Sequence, residues 1–182
     1  MKNPIPHKTL RSGGRASGEP WRRGFTLIEL LVVIAIIAML ASIILASLNA
    51  ARNKAADVRR KADLKQLQTA LELYYSDNNA YPSTGGVWYG NSPNAGSRTN
   101  YIPGLAPQYI QTLPLDPSPA PSACGGWGGA YLYISDGAGY KLLSHCPQNS
   151  SVGSTPSTDA FYDPVRSTWA WQVCSGTTEC QW

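Results

Sequence analysis

Two kinds of apolar pattern dominate the first half of the chain. An almost unbroken apolar run extends from Leu30 to Leu48, and neither Pro nor Gly occurs between Phe25 and Tyr81. Further on, apolar residues recur at spacings of three and four, which places them on one face of an α-helix: Leu64, Leu67, Leu71 and Tyr74. Because nothing in this stretch breaks a helix, the pattern predicts one continuous helix of about fifty residues whose second half is amphipathic.

The two halves of this helix are predicted to have different surroundings. A membrane span needs about 20 apolar residues and a secretory signal usually has fewer, so residues 25–51 are predicted to cross a membrane or to form a filament core. Residues 52–77 form the amphipathic half, whose stripe needs a sheet or helix to cover it. We expect its polar residues to face elsewhere: Arg60, Lys61, Lys65, Gln68 and Glu72. Removal of the apolar run as a signal peptide near residue 50 is the competing interpretation.

The second half of the chain, residues 78–182, is predicted to be a small domain that we call the head. Its first part is rich in Pro, Gly, Ser, Asn and Tyr, which predicts a long loop over residues 78–129. A loop of that length is either functional or disordered.

The strands of the head follow this loop. Two β-rich runs, 130–134 and 140–144, flank a Gly-rich turn and predict a hairpin. A third strand is predicted over residues 168–174, with Trp169 and Trp171 in the core. The prediction is therefore an α+β fold in which a long helix packs on a small antiparallel sheet, at about residues 130–174.

Charge is concentrated at the N-terminus of the chain. The net charge is +4, but residues 1–24 contain six basic side chains against one acidic side chain, which leaves nine basic and ten acidic residues afterwards. The first segment reads as a targeting leader, and no nucleic-acid-binding surface is inferred for the remainder. At 182 residues, the chain has room for one membrane helix and one modest domain.

One carboxylate, Glu29, stands just before the apolar run. An unpaired ionised group in hydrocarbon costs several kcal/mol, on the order of 2 to 4 even on lenient insertion scales, so Glu29 is expected to have a partner. The alternative is a glutamate that lies at the membrane edge, where its charge reaches water.

The segment from Gly24 through Phe25-Thr26-Leu27-Ile28-Glu29 resembles the N-terminus of type IV pilins and type II secretion pseudopilins. The resemblance implies that a prepilin peptidase cuts after Gly24, removes residues 1–24 and N-methylates Phe25. The new amine would then lie within about one helical turn of Glu29 in the same subunit or a neighbour, and would supply its counter-ion. This pair is the expected assembly contact.

The head also resembles this family. Tyr81-Pro82 and the segment Leu113-Pro114-Leu115-Asp116-Pro117 are similar to landmarks of the major pseudopilin of type II secretion. The resemblance implies a pilin-like structural subunit that polymerises with itself and related subunits, served by an assembly platform and an ATPase in the cytoplasmic membrane. Before assembly the chain would be a single-pass membrane protein with a cytoplasmic N-terminus, and the head would be periplasmic or extracellular.

Calcium is the one cofactor that the resemblance suggests, because some pseudopilins bind it near the C-terminus through aspartates and backbone carbonyls. Asp159 and Asp163 are the candidate ligands here, although carboxylates in a calcium site are normally more numerous. The alternative is a solvated turn before Pro164.

All four cysteines, Cys124, Cys146, Cys174 and Cys180, belong to the head. An even number in a small extracytoplasmic domain indicates disulfides. Three pairings are open, and we favour Cys174 with Cys180 and Cys124 with Cys146; reduced, buried cysteines are the alternative. A zinc site is not expected, because the chain has no Cys-x-x-Cys pair and His145 is the only histidine after the leader.

No catalytic motif occurs in the chain, which has no nucleophile elbow, phosphate-binding glycine loop or zinc-protease signature. The predicted role is therefore structural and non-enzymatic. A signal-anchored extracytoplasmic binding module that does not polymerise, for example a glycan binder, is the second hypothesis.

Overall fold

The structure is a computed structural model that describes residues 24–96, 98–117, 128–147, 153 and 155–182. One helix, α1, extends over Leu27–Asn78, and four strands follow it: β1 at Tyr89–Gly90, β2 at Ala130–Ser135, β3 at Tyr140–His145 and β4 at Ala170–Cys174. Short 3-10 turns occupy Pro93–Ala95 and Glu179–Gln181. The α+β, pilin-like prediction is confirmed.

Helix α1 has 52 residues and is uninterrupted, as the absence of Pro and Gly predicts. It ends where Asn79 adopts a positive φ of 52°, the left-handed conformation that often closes a helix. The Asn79 backbone N–H still donates to the Tyr75 carbonyl at 2.8 Å. The chain divides into two compact units, residues 1–43 and 44–182, which we call the N-terminal and C-terminal units.

The four strands form one antiparallel sheet in the order β1-β2-β3-β4. The β2–β3 hairpin pairs Ala130 with His145 at one end and Ser135 with Tyr140 at the other, so the predicted hairpin is confirmed. Its turn places Gly137 at a φ of 98°, which favours glycine. Strand β1 was not predicted, since two residues inside a Gly- and Pro-rich stretch carry no alternation to detect.

The core of the C-terminal unit forms between the apolar stripe of α1, the sheet and part of the predicted loop. Leu64, Leu67 and Leu71 are fully buried, and Tyr74 packs at the edge of their cluster, which confirms the predicted stripe. The described part of the loop also contributes core residues with no exposed surface: Tyr101, Ile102 and Leu105. This part of the loop is therefore a packed layer.

Two side chains have surroundings opposite to those predicted. Arg60 was expected to face away from the core, yet only 1% of it is exposed. Trp169 was expected to share a core-facing strand with Trp171, but it precedes β4 and is 38% exposed, whereas Trp171 is fully buried. Both predictions were wrong because they used helical or strand periodicity alone, and neither periodicity reports a distant partner or a strand boundary.

Candidate functional site

The residues around the expected cleavage position precede the helix. Gly24 and Phe25 lie outside α1, which begins at Leu27, and both are exposed, Phe25 by 88%. A Cβ placed on Gly24 would meet no other atom within 4 Å. The peptide bond between these two residues is therefore not held in helical hydrogen bonding and is open to solvent.

Thr26 and Glu29 form a reciprocal cap at the start of α1. The Thr26 backbone N–H and hydroxyl each donate to Glu29 Oε2 at 2.8 Å, and the Glu29 N–H lies 3.2 Å from Thr26 Oγ1. This is a capping box, which satisfies N–H groups that have no partner within the helix. Glu29 thus has a hydrogen-bonding role in addition to the predicted ion pair.

The apolar half of α1 is long and hydrophobic enough to cross a membrane, by length and composition. Its large apolar side chains are exposed along the described N-terminal unit, from 48% at Val32 to 89% at Leu27. An exposed apolar surface of this extent is unfavourable in water and requires lipid or other apolar helices around it. This surface can therefore act as an anchor or as an assembly contact.

In the C-terminal unit, Arg60 connects α1 to residues 113–117, the Leu-Pro-Leu-Asp-Pro segment. Its Nε and Nη2 donate to the two carboxylate oxygens of Asp116, each at 2.8 Å, and its Nη1 donates to Asp57 at 2.9 Å. The side chains of Arg60 and Asp116 are 1% and 0% exposed. A bidentate pair of this kind fixes both distance and orientation. It holds the Leu-Pro-Leu-Asp-Pro segment against the helix.

The two candidate calcium ligands are each engaged by a lysine. Asp159 Oδ2 accepts from Lys61 Nζ at 3.3 Å, and Asp163 Oδ1 accepts from Lys141 Nζ at 3.3 Å. The N–H of Phe161 donates to Asp159 and, with Lys61, keeps the pKa of the Asp159 carboxyl below its usual value. Among the described residues, no group of three or more acidic, His or Cys side chains converges on a possible metal position. Each of the two candidate carboxylates is thus paired with an ammonium group of this chain.

Asp163 does not lie in the solvated turn that was the alternative. Its side chain is fully buried, and its Oδ1 also accepts from the N–H groups of Val165 and Arg166. Lys141 is equally buried, which lowers the pKa of its ammonium group, while the Asp163 carboxylate acts in the opposite direction. The expected solvated turn is wrong for this residue.

The cysteines follow the favoured pairing as far as the structure describes them. Cys174 at the end of β4 is bonded to Cys180, six residues later. Cys146 is also disulfide-bonded, and Cys124, its expected partner, lies outside the described residues. The neighbouring His145 donates from Nδ1 to the Gly128 carbonyl oxygen at 3.0 Å. Burial of this imidazole lowers its pKa.

Three features of these sites escaped the sequence interpretation. The capping box had a local signal, Thr followed three residues later by Glu immediately before an apolar run. The Arg60–Asp116 pair is separated by 56 residues and the Lys141–Asp163 pair by 22, so no local pattern identifies either one. Only the folded structure brings the two partners of each pair together.

Comparisons with known proteins agree with this geometry. The prokaryotic N-terminal methylation motif matches residues 22–45, and the family of type II secretion system (T2SS) protein G matches residues 44–160. Curated relatives include the type II secretion system core protein G of Escherichia coli strain K12, 35% identical over 133 residues that cover 69% of this chain and 82% of the relative. The same protein of Klebsiella michiganensis is 36% identical over 118 residues, or 64% and 75% of the two chains.

The protein of the same name from Vibrio cholerae is 35% identical over 116 residues, which cover 63% of this chain and 71% of that protein. No solved structure matches the chain. The comparisons lend no support to the alternative of a binding module. The exposed apolar helix with its Glu29 cap, the methylation motif and the matched domain lead to one conclusion: this chain belongs to the type II secretion system protein G family and is a membrane-anchored structural subunit of a pseudopilus.

Proposed function

We propose that this chain is a pseudopilin precursor that is cut between Gly24 and Phe25, is N-methylated at Phe25 and then polymerises with copies of itself and related pilin subunits. The observation that carries the proposal is the apolar half of α1, which leaves side chains such as Leu27 and Met39 more than two-thirds exposed. Lipid covers these side chains before assembly, and neighbouring helices replace the lipid in the filament.

Orientation and machinery follow from this role. The leader and its basic residues lie in the cytoplasm, the apolar half of α1 spans the cytoplasmic membrane, and the head is periplasmic or extracellular. A prepilin peptidase processes the chain, and an assembly platform with its ATPase extracts the subunit from the membrane. The role is mechanical and involves no catalysis, and subunits that repeat along one open interface build a fibre.

Processing is tested by mass spectrometry of the membrane-extracted chain, produced with and without a prepilin peptidase. The expected product with the peptidase begins at a singly methylated Phe25. Gly24→Val is a suitable uncleaved control, because space around Gly24 is open and the change does not disturb packing. Filaments built from subunits that retain residues 1–24 would contradict the proposal.

Assembly is tested by separating the two roles of Glu29. Glu29→Gln keeps an oxygen for the capping box but removes the charge that the Phe25 amine would pair with. Thr26→Ala does the opposite, because it removes the capping hydroxyl and keeps the charge. We expect Glu29→Gln to be cleaved normally and to lower filament yield at least tenfold, and Thr26→Ala to assemble. Equal yields from the two variants would remove the ion-pair argument.

A further inference from the structure

The C-terminal part of the chain is held to the sheet around one buried ammonium group. Lys141 lies on β3, and its Nζ donates to the main-chain oxygens of Cys180 and Trp182, each at 2.9 Å, and to Asp163 Oδ1 at 3.3 Å. The side chains of Lys141 and Asp163 have no exposed surface. Three oxygens thus surround a charge that water does not reach.

The oxygen set around Lys141 has the composition that hard cations bind. Calcium takes carboxylate and main-chain oxygens, and here the Asp163 carboxylate and the main-chain oxygens of Cys180 and Trp182 converge on the ammonium group. An ammonium is a compact charge with three N–H donors, so each donor has one oxygen. The position that suits a small cation is occupied by a cation that belongs to the chain.

A second positive group faces the same carboxylate. Arg166 Nη1 lies 3.7 Å from Asp163 Oδ2 and donates to the main-chain oxygen of Trp182 at 2.6 Å. Two positive side chains therefore face the Asp163 carboxylate, and a divalent ion added here would be repelled by both. Asp159 offers no substitute site, because its carboxylate is already paired with Lys61 from α1.

We infer that Lys141 replaces a structural metal ion in this subunit, so that residues 155–182 keep their fold without calcium. The match to the protein G domain ends at residue 160, and Asp163, Arg166 and Trp182 all come after it. The arrangement therefore combines a lysine inside the matched domain with a C-terminal segment outside it. The Cys174–Cys180 disulfide lies in that segment, and the Cys180 carbonyl oxygen accepts a hydrogen bond from Lys141.

The first test is thermal unfolding of the full chain in detergent, with millimolar calcium chloride and with the chelator EDTA, followed by tryptophan fluorescence. We expect the same unfolding midpoint in both solutions. A ligand that binds only the native state raises the midpoint as its concentration increases. A midpoint that rises with calcium or falls with EDTA would therefore overturn the inference.

The second test compares two lysines that both pair with aspartates. Lys141→Met is expected to lower the unfolding midpoint and to make the C-terminal segment sensitive to protease, because it leaves the buried Asp163 with one charged neighbour fewer. Lys61→Met, at a partly exposed pair, is the matched control and should have a small effect. Equal shifts from the two variants would overturn the role assigned to Lys141.

Asp163→Asn provides a readout if Lys141→Met yields no folded protein. With the carboxylate gone, Lys141 is buried beside Arg166 without the Asp163 charge, so the Asp163→Asn single variant should unfold at a lower temperature than Lys141→Met/Asp163→Asn. A double variant that is less stable than Asp163→Asn would contradict the inference. All measurements use the unassembled chain, so their outcome is independent of whether the subunit polymerises.

Discussion

Two stretches of the same helix differ in the exposure of their apolar side chains. In the first stretch, Ile36 and Met39 are 55% and 71% exposed, although the sequence around them is almost entirely apolar. In the second stretch, Leu64, Leu67 and Leu71 are fully buried among the sheet and the loop. The apolar side chains of the second stretch are buried by other residues of the same chain. Those of the first stretch need lipid or other helices to cover them.

This difference separates the part of the molecule that folds from the part that assembles. Burying a large apolar side chain contributes about 1.5 to 3 kcal/mol, so a row of exposed ones stores a large driving force for insertion or association. The side chains around Leu67 are already buried, so their burial contributes to folding of the chain and not to association. Substitutions in the two stretches should therefore affect different measurements, namely filament formation in the first and unfolding in the second.

The largest expected effect on unfolding comes from Arg60→Met. The change leaves Asp116 buried without its bidentate partner, and breaking a buried pair in this way costs about 3 to 5 kcal/mol. Arg59→Met, one residue earlier at a side chain that is 62% exposed, should cost less than about 1 kcal/mol. Chemical unfolding of the full chain in detergent measures both. A similar loss from the two variants would show that burial of Arg60 is not what matters.

A smaller but still large effect is expected from Leu67→Ala. Truncation of a fully buried leucine leaves a cavity and lowers the free energy of unfolding by about 2 to 5 kcal/mol. Ile37→Ala in the exposed stretch should change it by less than about 0.5 kcal/mol, because Ile37 is 58% exposed. If Ile37→Ala destabilised the protein as much as Leu67→Ala, the division between folding and assembly surfaces would be wrong.

The helix and the hairpin were predictable because their signals are local. A helix without Pro or Gly, an apolar stripe at three- and four-residue spacing, and two β-rich runs around Asp136-Gly137 all lie in short windows of sequence. The structure reproduces these elements, with α1 ending at Asn78 and β2 and β3 at residues 130–135 and 140–145.

The remaining features depend on contacts between distant parts of the chain. Arg60 looks like a solvated helix residue until Asp116 is brought beside it, and Asp163 looks like a turn residue until Lys141 meets it. Such partners are specified by tertiary packing, which periodicity does not report. At the helix N-terminus, the expected cleavage position rests on family resemblance, and the expectation of a partner for Glu29 rests on the cost of a charge in hydrocarbon. The capping box was overlooked despite its local Thr-x-x-Glu signal.

The smallest expected difference between the two stretches is a gradual loss of stability of the C-terminal core at alkaline pH. After the leader, no tyrosine precedes Tyr74, whereas several tyrosines are buried in the C-terminal core. Burial, together with the Glu72 carboxylate that accepts from its hydroxyl, raises the pKa of Tyr81 to about 12. Burial also raises the pKa values of Tyr131, Tyr133 and Tyr140 above the ordinary value.

A phenol whose pKa is higher in the folded than in the unfolded protein contributes stability that is complete below the unfolded value of about 10 and is lost as the pH rises through the folded value. The free energy of unfolding should therefore be constant up to about pH 9 and fall between pH 10 and 12.

Tyrosinate absorbance should appear together with unfolding. Tyr81→Phe should make the decline in the free energy of unfolding less steep than Tyr75→Phe does, because Tyr75 is a control whose side chain is 41% exposed. Helical content of the apolar stretch in detergent should persist through this transition. Buried tyrosines that ionised near pH 10 without loss of the fold would show that the C-terminal core is open to solvent, and the contrast between the two stretches of α1 would then fail.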